Sequence, residues 1–112
     1  ALDFTGTLTD IVETSMRDRM VGICVQDHKL PMKLIVHLTQ NIAFYNLVTN
    51  FSKIIPDDPS WQDIYKKADN YRQRRNQIVH GLDQFKNFSV LNKYVLETWK
   101  IGWVICKFLF LH

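Results

Sequence analysis

Residues 59–82 read PSWQDIYKKADNYRQRRNQIVHGL. Trp61, Ile64, Tyr65, Ala68, Tyr71, Ile78, Val79 and Leu82 recur along this stretch at three- and four-residue steps. That spacing puts side chains on one face of an α-helix. Asp58 is a good N-cap, and Pro59 suits the first helical position. The stretch therefore predicts a helix from Pro59 to about His80. Gly81 is its expected stop, because a glycine after the last helical residue commonly takes the left-handed conformation. Arg75 breaks the pattern. It lies seven residues after Ala68 and three before Ile78, inside the apolar face. A guanidinium there keeps its charge, and a buried charge without a partner is very costly. It needs an anion: a carboxylate of this chain, a carboxylate of a partner subunit, or a ligand phosphate.

Three further segments carry helical spacing. Leu8, Ile11, Val12, Met16, Met20 and Ile23 define a first helix, capped by Thr5 or Thr7 and running to about Gln26. Arg17, Asp18 and Arg19 interrupt it and read as a solvated face. In the sharper alternative, Asp18 or Glu13 turns inward to pair with Arg75. After an Asp27-His28-Lys29 loop, Pro31 suits the first turn of a second helix reaching about Lys53 or Ile55. Its apolar positions are Leu34, Ile35, Leu38, Ile42, Tyr45, Leu47, Val48 and Phe51. His37 on that helix reads as a hydrogen-bonded structural histidine. Pro56-Asp57-Asp58-Pro59 is the clearest break in the chain.

Asp83 to Phe88 reads as a linker, and Ser89 as the cap of a last helix running to the end. The later part of that helix is apolar nearly all round, which suits a central position or a subunit interface. Gly102 within it allows a neighbouring helix to approach closely. The expected fold is all-α: an up-and-down four-helix bundle forming a single domain over residues 1–112. The chain lacks an initiator Met, which fits a trimmed protein or a domain excised from a longer one.

Composition supports this class. A hydrophobic fraction of 46%, with 12% aromatic residues, excludes a disordered chain. Few glycines and prolines, and no Asn-Gly or Asp-Gly turn, argue against an all-β fold. The net charge of +3 is compatible with a nucleic-acid partner without demanding one. Cys24 and Cys106 sit in apolar helical runs and read as reduced core residues of a cytoplasmic protein. No signal peptide is visible, and the longest apolar run is too short to span a bilayer, so no membrane partner is expected. Histidines 28, 37, 80 and 112 have no metal-ligand spacing, the cysteines form no CxxC, and no Gly-rich phosphate loop is present. No metal and no cofactor is expected.

Arg75-Asn76-Gln77-Ile78-Val79-His80 resembles the R-polar-x3-H motif of the HEPN family, with Gly81 matching a common follower of the histidine. The resemblance implies a small all-α domain, frequently dimeric. Many members are metal-independent ribonucleases whose motif residues face each other across the dimer. By that resemblance His80 is a general acid or base, Arg75 stabilises the transition state and Asn76 positions. The residue types suit these roles: histidine titrates near neutral pH, and arginine offers forked donors to phosphate oxygens. Arg72, Arg74 and Lys33 are the expected substrate-binding cations; the two arginines belong to a positive segment of the third helix that includes Lys66, Lys67 and Arg75.

At about 100° per residue, His80 points roughly 140° away from Arg75 around an ideal helix. The two meet on one ligand only if the helix unwinds at its C-terminus or a second subunit contributes. The leading expectation is a homodimeric endoribonuclease acting on RNA, as a toxin or defence effector with an antitoxin or adjoining domain as partner. The alternatives are a non-catalytic HEPN-like dimerisation or nucleotide/RNA-binding module, and an unrelated four-helix interaction domain that docks through its aromatic last helix.

Overall fold

The computed structural model describes residues 2–81 and 85–112, with side chains from residue 6 onward. Five helices account for nearly all of it: α1 (Leu2–Gln26), α2 (Met32–Thr39), α3 (Phe44–Ile54), α4 (Pro59–His80) and α5 (Phe88–Leu111). No strand occurs among the described residues. α1 packs on α3 and α5, and α4 packs on the same two, so these four helices close a ring around one core. α2 packs on α1.

The ring is the expected set of four with one change: the second helix is broken into α2 and α3. The break has a tertiary cause. Arg17 of α1 donates from Nε to the carbonyl of Thr39 at 2.9 Å and from a terminal nitrogen to that of Ile42 at 3.4 Å. Thr39 also turns its hydroxyl back onto the Ile35 carbonyl at 2.8 Å, a bond that weakens the continuing ladder. Arg17 thus holds carbonyls released at the end of α2, where a solvated side chain was expected. The break also takes the predicted stripe out of register. Ile35, Leu47, Val48 and Phe51 are buried, whereas Leu34, Leu38 and Tyr45 are exposed.

Other boundaries shift for local reasons. α1 starts at Leu2, so Thr7 lies inside the helix, and the Thr5 side chain falls outside the described residues. Pro31 is the N-cap of α2 rather than part of its first turn. Asn87 caps α5 in place of Ser89, accepting from the Val90 amide at 3.0 Å. The first residues of the predicted linker, and Leu82 of the α4 stripe, lie outside the described residues. Asp58 caps α4 as predicted, its carboxylate accepting from the Ser60 amide at 2.7 Å.

The core stacks Leu8, Val12 and Met16 of α1 against Phe51, Tyr71 and Ile105. At Gly102 α5 lies close against its neighbours. A Cβ there would lie 2.9 Å from Cε2 of Tyr71 and 3.2 Å from Cδ2 of Leu8. Cys24 and Cys106 are free thiols. No helix among the described residues is long and apolar enough to cross a membrane.

Candidate functional site

The buried face of α4 is formed by Trp61, Ile64, Ala68, Tyr71 and Ile78. Arg75 occupies the next place on that face, half-buried. Its Nε is buried and has no hydrogen-bond partner among the described residues. The guanidinium stands over the ring of Phe44, with its central carbon 5.6 Å from the ring centroid. Phe44 is the first residue of α3, whose N-cap Ala43 offers no side-chain acceptor and whose first turn carries no acid. The positive end of the α3 dipole therefore adjoins a cation.

No carboxylate among the described residues forms an ion pair with Arg75. Glu13, half-buried and close enough to act on Tyr71, lies 4.0 Å from Arg17, and Asp18 is exposed, so neither is paired with Arg75. One turn before Arg75, the fully buried Tyr71 shares a hydrogen bond with Thr9 Oγ1 at 2.9 Å. Burial pushes the Tyr71 phenol up; the Thr9 hydrogen bond and the Arg75 charge partly oppose that rise, and Cys106 and the Glu13 charge add to it. Asn76, beside Arg75, is half-buried.

His80 is the last residue of α4 and is exposed. Gly81 does not take the left-handed conformation: its φ is −120° and ψ 29°, and its amide still donates to the Gln77 carbonyl at 2.9 Å. The ladder is intact up to this point, so nothing swings His80 toward Arg75. The angle of roughly 140° between them therefore stands. A single chain brings Arg75 and Asn76 together and leaves His80 facing another way.

The expected substrate-binding cations separate as well. Arg72 forms an ion pair with Asp69 at 3.0 Å and stands 4.9 Å over the ring of Tyr45. Arg74 belongs to the seam between α4 and α5. It donates to Thr98 Oγ1 at 2.9 Å, to the Tyr94 carbonyl at 3.2 Å and to Glu97 at 3.3 Å, and lies 3.9 Å over the Tyr94 ring. That side chain is a structural clamp. Lys33 is exposed on α2, and Lys67 pairs with Asp63. His37 is exposed, with no hydrogen bond among the described residues.

Sequence reading missed Phe44 and Tyr45. Both are aromatic positions of a segment read as one continuous helix, and only the break at residues 40–43 makes them the first turn of a new one. Among the described residues no group of three or more His, Cys, Asp or Glu side chains is placed to hold a metal ion. No family model matches the chain, and neither curated proteins nor solved structures give a match.

Proposed function

We propose that this protein is a HEPN-like endoribonuclease that cleaves RNA without a metal ion, as a homodimer. The observation that carries the reading is the Arg75 guanidinium. It stands on a buried helix face with an orphaned Nε, no carboxylate paired to it among the described residues, and the uncapped start of α3 alongside. Such a cation is best matched by a phosphate, which accepts forked hydrogen bonds. In this reading Arg75 binds the scissile phosphate and stabilises the charge that builds on its oxygens, while Asn76 orients it. The ribose 2′-oxygen attacks the adjacent phosphorus and loses its proton to one His80. The 5′-oxygen leaves and takes a proton from a second His80, giving a 2′,3′-cyclic phosphate and a 5′-hydroxyl. The two histidines come from two copies of the chain across a two-fold axis. A toxin or defence role, in the cytoplasm and held in check by an antitoxin or an adjoining domain, belongs to the same proposal through the family likeness of the motif.

The exposure of His80 and its angle to Arg75 favour a second reading, a module that binds RNA or nucleotide without cutting it. One experiment separates the two. Wild type, Arg75→Ala and His80→Ala are incubated with mixed single-stranded RNA in EDTA. Cleavage by wild type alone, leaving cyclic-phosphate ends, is the expected result. Undiminished cleavage by His80→Ala removes that residue's role. Binding without cleavage by folded, dimeric wild type selects the module.

A further inference from the structure

Arg72 and Arg75 are three residues apart and share a face of α4. Phe44 and Tyr45 are consecutive in the first turn of α3. Each guanidinium covers one ring, Arg75 over Phe44 and Arg72 over Tyr45. The two rings differ in one respect: Phe44 is buried at 5% exposure, whereas Tyr45 is 60% exposed. Tyr45 therefore has a guanidinium beside its ring and much of its surface open to solvent. Arg72 is already neutralised by Asp69, so it stiffens the ring more than it attracts a phosphate. An exposed aromatic ring backed by a guanidinium, next in sequence to the ring under an arginine with no carboxylate paired to it among the described residues, is the kind of arrangement that single-stranded nucleic acid recognises, by stacking a base and seating the neighbouring phosphate.

We infer that Tyr45 is a stacking platform for an unpaired nucleobase flanking the phosphate held at Arg75. This rests on the reading of Arg75 as a phosphate site but does not need cleavage to occur. The test is fluorescence anisotropy with a non-cleavable, labelled 2′-O-methyl RNA oligomer, its abasic counterpart and its duplex. Tyr45→Ala is expected to bind the single strand about tenfold more weakly, and Tyr45→Phe to bind like wild type. The abasic oligomer and the duplex should bind wild type weakly and lose nothing further in Tyr45→Ala. Equal binding of the single strand by wild type and Tyr45→Ala overturns the platform; if Arg75→Met still abolishes that binding, the phosphate site survives. Equal losses on the intact and abasic strands also overturn it, since the ring would then only support Arg72. A change of oligomeric state in Tyr45→Ala assigns the ring to a subunit contact instead. No binding of any oligomer by wild type overturns both readings. Tyr45-dependent binding without cleavage of natural RNA supports the platform and removes the catalysis.

Discussion

Arg75 costs the fold something that its neighbours on α4 do not. Burying a guanidinium nitrogen without a hydrogen-bond partner loses solvation that the contact with the Phe44 ring only partly offsets. The prediction is that Arg75→Met stabilises the folded protein, by about 1 kcal/mol or more, while abolishing RNA binding and cleavage. Urea denaturation followed by tryptophan fluorescence reads the first effect. A loss of stability would mean that Arg75 is held structurally, by an anion or by its contact with the Phe44 ring. Arg74 is the opposite case on the same helix turn. Its guanidinium is tied to Thr98, Glu97 and the Tyr94 carbonyl, so Arg74→Ala is expected to lower stability by about 2 kcal/mol. The sequence distinguishes these two arginines only halfway. Periodicity places Arg75 on the apolar face correctly. It says nothing about Arg74, whose partners lie some twenty residues away on another helix.

At the scale of elements, the reading from sequence succeeds where local chemistry decides and fails where a distant side chain decides. The Asp58-Pro59 start of α4 depends on adjacent residues, and it stands as predicted. The division of α2 from α3 depends on Arg17, which is contributed by α1. Within residues 31–55 Thr39 is only a weak local hint of it, and the segment contains no internal glycine or proline. Removing the guanidinium tests this account. Arg17→Met leaves the Thr39 and Ile42 carbonyls without that donor, and a loss of about 1–3 kcal/mol is expected. Amide hydrogen exchange should speed up in α2 before it does in α4. Uniform protection throughout the chain would show that the break has another cause. Gly102 likewise matches its predicted role, because a neighbour's close approach leaves room for nothing larger. Gly102→Ala forces Cβ against the Tyr71 ring and is expected to cost about 1–3 kcal/mol in the same denaturation assay.

For the whole molecule, the long helices α1, α4 and α5 give an elongated shape. The radius of gyration is 15.0 Å, against about 13 Å for a compact domain of this length. The accessible surface is 7200 Å², against about 6,500 Å² for a compact monomer of this mass. The extra surface is partly apolar: Trp103, Phe110 and Leu111 on α5, and Met32, Leu34 and Leu38 on α2, are all more than 45% exposed. A standard interface needs about 800 Å² from each partner, a modest share of this surface. The proposed cleavage would need a second copy, because one helix cannot turn Arg75 and His80 onto the same phosphate through roughly 140°. Cleavage should therefore depend on association. At protein concentrations below the dimer dissociation constant, the initial rate is expected to rise with the square of total chain concentration. Above it, the rate should become linear. Initial rates over a dilution series, read beside light-scattering mass, check this. A rate that stays linear down to concentrations where the mass is that of a single chain would place the whole site within one copy. His80 would then have to reach Arg75 by a rearrangement of the α4 C-terminus, since the intact Gly81–Gln77 hydrogen bond holds them apart.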